Sequence, residues 1–330
     1  MAKHPTSIQA QKNPNGAAGE LARDPRVARA LDYLAKNSAA ITEEQAKITE
    51  IPAPPFQEAQ RAAYLKILFA SAGANPRTDD AGNVIAEFGV AQNGEVVVLI
   101  AHLDTVFPAG TNTSVRRDKN VLYAPGISDN GTGLASIVAL ARAFADAKIK
   151  TQRGVVFAAD VGEEGEGNLR GARKLVETYG SRLKAMIAVD GASTDYVVAQ
   201  ALASRRLQVT ITGPGGHSWS DFGTPNPINA IARGINRFLQ VQVPGSPKTT
   251  YNVGEIEGGS SVNAIPASAS IKVDFRSEQE RELGRLETAL RDAMKEGIAS
   301  EMSMARERGQ PGGKDSELQM EVKSLGVRPG

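Results

Sequence analysis

His102 and Asp104 stand two residues apart where the apolar run Glu95 to Ala101 (EVVVLIA) ends. Alternate residues of a strand point the same way, so the Asp104 carboxylate can hold the imidazole by its second nitrogen while the first binds something else. Three acidic segments have a similar setting. Asp129 lies in the loop Gly126-Ile-Ser-Asp-Asn-Gly-Thr-Gly133 that leads into a helical pattern, Glu163 and Glu164 follow the run GVVFAADV, and Asp190 follows AMIAV. Adjacent glutamates beside a buried sheet repel unless a positive charge sits between them, and a divalent cation supplies one. Taken singly, each segment has a plainer reading: a structural histidine, a turn in which Asn130 or Thr132 caps a helix, a solvated acidic pair. A histidine pooled with several carboxylates at one sheet rim is, taken together, a dinuclear metal site in outline. A fifth segment, Gly213-Pro-Gly-Gly-His217, lies further along the chain.

The elements that must position these residues are legible from periodicity. Helical patterns run from Pro25 to Lys36, from Glu58 to Ala72 with Ala62, Leu65, Leu68 and Phe69 on one face, and from Thr132 to Ala147 with Leu134, Ile137, Val138, Ala141 and Phe144 aligned. Continuous apolar runs at Glu95–Ala101, Gly154–Ala159 and Ala185–Val189 predict strands buried on both faces of a mostly parallel sheet. The fold class is therefore α/β, a three-layer doubly wound domain. From about Ser204 the pattern changes to strand (Arg206–Thr212), helix (Pro227–Leu239), strand (Thr250–Glu257), strand (Ser268–Phe275), helix (Glu278–Met302) and strand (Leu318–Ser324). That order, βαββαβ, predicts a ferredoxin-like insert. Asn226 with Pro227 marks the start of its first helix. Ser277 with Glu280 predicts a capping box for the second, which carries the stripe Leu283, Leu286, Leu290, Met294 and Ile298. Gly309–Gly313 reads as a surface loop.

The chain has 330 residues, near-balanced charge at +1, three histidines and no cysteine, which excludes disulfides and thiolate metal sites. No basic block recommends a nucleic acid or an anionic membrane as partner, and no run reaches the length of a membrane span. The polar start of the chain lacks the apolar core of a signal peptide, so the expected location is cytoplasmic.

The run Ala101-His-Leu-Asp-Thr-Val106, the 126–133 loop, Gly-Glu-Glu-Gly at 162–165, Asp190, and Arg205-Arg-Leu-Gln-Val-Thr-Ile-Thr-Gly-Pro-Gly-Gly-His-Ser-Trp219 together resemble the co-catalytic zinc exopeptidase and deacylase family that contains peptidase T, carboxypeptidase G, acetylornithine deacetylase and succinyl-diaminopimelate desuccinylase. The resemblance covers about residue 25 to the end. It implies two Zn2+ per subunit, with Co2+ or Mn2+ as substitutes. His102 and Asp190 would bind one metal, Glu164 the other, and Asp129 would bridge them. Asp104 would orient His102, and Glu163 would be the general base that takes a proton from the attacking water and passes it to the leaving amine. His217 would reach the partner subunit's site and donate to the oxyanion. Asn263 and Arg276 would bind substrate, a guanidinium suiting a carboxylate, although Arg276 also reads as a strand-end surface arginine. The peptide bond after Asp129 would be cis.

On this reading residues 1–22 form a flexible arm, 23–203 the catalytic metal-binding domain, 204–325 the ferredoxin-like dimerisation or lid domain, and 326–330 the start of a return to the catalytic domain. The family returns there for a longer segment that carries a last histidine ligand, so the zinc-exopeptidase-like fold is expected to be incomplete at its C-terminus and the second metal site short of a ligand. Two function classes are implied. One is an amide hydrolase of small peptides or N-acyl amino acids, with the likeness to peptidase T favouring peptides, acting as a homodimer through the insert. The other is a truncated, inactive dimerising or metal-binding remnant. Aminopeptidase and carboxypeptidase polarity both stay open.

Overall fold

The computed structural model describes residues 16–91, 93–191, 197–199, 201–308 and 317–330. The chain divides into two compact units, Met1–Val197 and Val198–Gly330.

The first unit contains helices α1 (Ala17–Ala22), α2 (Pro25–Lys36), α3 (Ser38–Glu50), α4 (Ala59–Ser71), α5 (Gly133–Asp146) and α6 (Arg170–Tyr179). Its strands are β1 (Arg77–Thr78), β2 (Val84–Phe88), β3 (Val96–His102), the hairpin β4 (Arg116–Asp118) and β5 (Val121–Tyr123), β6 (Gly154–Asp160) and β7 (Leu183–Ala188). Five of them form a mixed sheet in the order β1-β2-β6-β3-β7. β6 and β7 run parallel to β3, and β1 and β2 are antiparallel additions at one edge. From β3 the chain moves outward through α5 to β6, then back across β3 through α6 to β7. Right-handed crossovers in opposite directions place their helices on opposite faces. Accordingly Leu134, Ile137 and Val138 of α5 pack with Leu65 and Phe69 of α4 on one side of the sheet, around Phe157, while Leu175 and Tyr179 of α6 cover Val96, Val98 and Val156 on the other.

The expectation that all three apolar runs are buried on both faces fails for the third. β7 is the sheet's edge, four of its six residues are exposed, and Ile187 is 51% exposed. An apolar run alone does not distinguish an edge from a centre. The predicted arm lies outside the described residues up to Asn15, and its end is the short helix α1.

The second unit contains β8 (Ala203–Thr212), β9 (Gly216–His217), α7 (Pro227–Phe238), β10 (Thr249–Gly258), β11 (Ala264–Ile265), β12 (Ser268–Ser277), α8 (Glu280–Glu307) and β13 (Gln319–Arg328). Its antiparallel sheet has the order β10-β12-β8-β13, the ferredoxin-like arrangement. The stripe Leu283, Leu286, Leu290 and Met294 is buried with Ile231 and Phe238 of α7 against Val209, Ile271 and Phe275. Asn226 caps α7, its side chain accepting from the Ile228 amide at 2.9 Å.

Two expectations need correction here. No capping box forms at Ser277: β12 continues through that residue, its hydroxyl lies 2.9 Å from Thr249 Oγ1, and α8 begins only at Glu280. Nor do residues from 326 onward leave the unit, because Gly326, Val327 and Arg328 pair with Arg206, Arg205 and Ser204. The loop expected at Gly309–Gly313 lies outside the described residues. Among the described residues no helix is long and apolar enough to cross a membrane.

Candidate metal centre

Three parallel strands end at one rim, and the candidate ligands leave from those ends. β3 delivers His102, β6 delivers the turn to Glu163 and Glu164, and β7 delivers Asp190. The fourth contributor is the loop before α5. Asn130 fixes it there, donating from Nδ2 to the Val189 carbonyl at 2.9 Å and accepting the Gly133 amide at 3.0 Å. Asn130 thereby caps α5 and ties its start to the chain after β7, with Asp129 on one side and Asp190 on the other. A Cβ at residue 133 would overlap both Asn130 Oδ1 and the Val189 carbonyl, so this close approach requires glycine. The Asp129–Asn130 peptide bond is cis, as the resemblance implies.

His102 is 3% exposed, with Nε2 lying 2.9 Å from Asp129 Oδ1 and 3.5 Å from Asp190 Oδ1. Ligand atoms of His102, Asp129 and Asp190 lie within 4.8 Å of one another, and so do those of His102, Glu163 and Glu164. Four carboxylates thus lie around one imidazole. Burial disfavours a charged ring, but Asp104, Asp129 and Asp190 outweigh it and push the His102 pKa up to about 12. Desolvation, reinforced by Glu163 and Asp129, raises Glu164 to about 7. The charge that these acids lack is positive, and a divalent cation would replace the proton on His102.

Asp104 acts differently from expectation. The partner of His102 Nδ1 is the Asp104 backbone carbonyl at 3.0 Å, while the carboxylate stays 3.6 Å away. That carboxylate, fully buried, accepts the backbone amides of Glu163 and Glu164 at 3.0 and 2.9 Å. Burial opposes its charge, yet the His102 ring and these amides hold its pKa below the usual carboxylate value. Asp104 therefore aims the glutamate pair. Gly162 assists with a left-handed turn at φ +64°, where a Cβ would also overlap the Arg170 side chain. Asp104→Asn would present an amide nitrogen to one of the two backbone donors. It is expected to cost about 1–3 kcal/mol of stability, read as a lower urea midpoint; an unchanged midpoint would contradict the bonding described.

Sequence reasoning passed over Asp160, which stands level with His102 on the neighbouring strand. It is 1% exposed, its Oδ1 has no hydrogen-bond partner, and burial raises its pKa to about 7. Its position as the last residue of a buried apolar strand was the available signal.

In the second unit, His217 pairs with Ala264 in the β9–β11 ribbon, and the Asn263 carbonyl accepts the Ser218 amide at 3.0 Å, so Asn263 and His217 are neighbours. His217 Nδ1 accepts from the Trp219 amide at 3.2 Å, which leaves the proton of a neutral ring on Nε2. Arg276 does not join them. It lies near the far end of β12, about 26 Å along the strand from Ser268 at roughly 3.3 Å per residue, and is bonded to Asp274 at 2.8 Å.

Residues 83–209 match Peptidase family M28 and residues 203–301 match a peptidase dimerisation domain. The two matches put a peptidase-type region ahead of a peptidase dimerisation domain, and the relatives that the chain resembles include acetylornithine deacetylase. The acetylornithine deacetylase of Myxococcus xanthus is 30% identical over 217 residues, covering 60% of this chain and 55% of that protein. A tripeptidase from Staphylococcus aureus subsp. aureus Mu50 shares the fold at TM-score 0.61 and 21% identity, over 86% of this chain and 75% of that one. So does the YXEP protein of Bacillus subtilis, a dinuclear metal binding peptidase from the M20 family, at TM-score 0.54 and 18% identity, over 87% and 73%.

Proposed function

We propose that this protein is a metal-dependent hydrolase of amide bonds in small peptides. The observation that carries the reading is the buried His102 with ligand atoms of Asp129 and Asp190, and likewise of Glu163 and Glu164, gathered within 4.8 Å of it. His102, Asp129 and Asp190 would hold one divalent cation and Glu164, with Asp129 shared, a second; nitrogen and carboxylate donors without thiolate suit zinc, with Co2+ or Mn2+ as substitutes. Bound there, the metal would supply Lewis acidity toward the scissile carbonyl and toward water.

The remaining work falls to side chains. Glu163, aimed by its amide bond to Asp104, takes the proton of the attacking water and returns it to the leaving nitrogen. His217, with its proton on Nε2, donates to the oxyanion. The match to a dimerisation domain supports a homodimer in which this histidine serves the partner's site. Asn263, beside His217, would bind substrate there, whereas Arg276, paired with Asp274 near the far end of β12, fits its other reading as a strand-end surface arginine.

A second reading, hydrolysis of N-acyl amino acids, is favoured by the 30% identity to an acetylornithine deacetylase. The two separate in one assay. Protein loaded with Zn2+, Co2+ or Mn2+ is given tripeptides, dipeptides and N-acetyl amino acids, and amine release is followed with and without chelator. Peptide cleavage that stops on chelation and returns with metal is expected. Release from acetyl amino acids alone would select the deacylase, and no release with any metal would reject both.

A further inference from the structure

Among the described residues Arg61 is the largest fully buried side chain, and no role for a charge is evident from its place inside α4. Its guanidinium donates four hydrogen bonds, all to backbone carbonyls. Nε and Nη2 reach the Ile51 carbonyl at 2.9 and 2.6 Å, Nη2 also reaches Thr49 at 3.3 Å, and Nη1 reaches Leu103 at 2.7 Å. Thr49 and Ile51 close the C-terminus of α3, whose last carbonyls lack partners within the helix. Leu103 is the residue between His102 and Asp104. One planar guanidinium thus bolts the end of α3 to the turn that carries the metal-site histidine.

α3 also reaches the other side of the site. Gln45 Nε2 donates to the Ile127 carbonyl and to Thr132 Oγ1, both at 2.8 Å, and so holds the two ends of the segment that contains Asp129. Thr49 closes on the same segment, since a Cβ at Gly131 would overlap its hydroxyl. The segment after α3 adds a further tie, the Thr105 amide donating to the Ala53 carbonyl at 3.0 Å. The two ligand-bearing segments around residues 102–104 and 127–132 therefore share one support, and Arg61 sits at its centre.

A neutral capping group would satisfy the helix end equally well, so the charge needs its own reason. Asp104 supplies it. Burial pulls the Arg61 pKa down to about 10, Asp104 opposes that fall, and the guanidinium stays charged near neutral pH. Asp104 is itself fully buried while it accepts the two amides of the glutamate pair.

We infer that Arg61 is a positioning residue for the metal centre: through the Leu103 carbonyl and the C-terminus of α3 it fixes His102 and the Asp129 loop relative to one another. The inference rests on the reading of the site as a metal centre. Arg61→Lys keeps the charge, but a single ammonium cannot span the carbonyls of Thr49, Ile51 and Leu103. Outer supports of metal ligands typically govern about 10–100-fold in metal affinity or activity.

The test is titration of the metal-free full chain with Co2+, followed by its visible absorption, for the parent, Arg61→Lys and Gln45→Met. Both variants are expected to bind Co2+ about 10–100-fold more weakly with a changed visible spectrum. Where peptides are turned over, kcat should fall more than KM rises. A folded Arg61→Lys with the parent's affinity and spectrum would overturn the role of Arg61. If that variant does not fold, parent-like Co2+ binding by Gln45→Met overturns it in its place. A parent that binds no Co2+ overturns the metal reading of the site, and this role with it.

Discussion

Glu163→Gln is expected to lower kcat for peptide hydrolysis by roughly 10²–10⁴-fold, the usual worth of a general base, with metal content unchanged. The amide side chain keeps the size and the backbone of the glutamate, so the residue 163 amide can still donate to Asp104 and the turn should hold. What it loses is the ability to accept a proton. The three candidate ligands His102, Asp129 and Asp190 are untouched, which makes elemental analysis the necessary companion to kinetics. Full turnover by the variant would remove Glu163 from the chemistry. Loss of metal in step with activity would make it a ligand instead, exchanging its role with that of Glu164.

The pairing of these two glutamates shows how far one sequence can be read. Their adjacency after an apolar strand, and the placing of His102 and Asp190 at two other strand ends, is legible because parallel strands have a common rim to which chemistry is delivered. The helices α4, α5, α7 and α8 are legible because each buries a stripe at helical spacing, and the ferredoxin-like order of the second unit follows from the sequence of its elements.

What escaped was carried by weaker or non-local signals. α3 went unread because SAAITEEQAKITE buries only Ala46, Ile48 and Thr49, leaving no clear apolar stripe. α6 buries Gly171, Leu175 and Tyr179, a spacing of four that was there to be seen. β7 announced itself as a strand but not as an edge, since pairing partners are a property of the sheet.

At the site the same division holds. Residue types located the candidate ligands, but the partners of Asp104 are backbone amides some 60 positions away, and those of Arg61 are backbone carbonyls. Main-chain groups are present at every residue, so no pattern of side chains marks which of them will be used.

His217→Ala should show the second large effect, a fall of roughly 10²–10³-fold in kcat, which is what removal of one oxyanion donor costs. Its ring is already set for that task. The Trp219 amide, and more distantly that of Ser220 at 3.5 Å, face Nδ1, while the His217 amide is held by Asp221 Oδ2 at 2.7 Å, so both the backbone and the tautomer are fixed. The donor that remains, Nε2–H, would act on charge that develops only as the carbonyl is attacked, and KM should therefore change much less than kcat. Because His217 lies in the second unit and the five candidate metal-site side chains lie in the first, metal content should stay at the parent level. Loss of metal together with turnover would place His217 among the ligands. Turnover at the parent level would take the oxyanion donor away from this loop altogether.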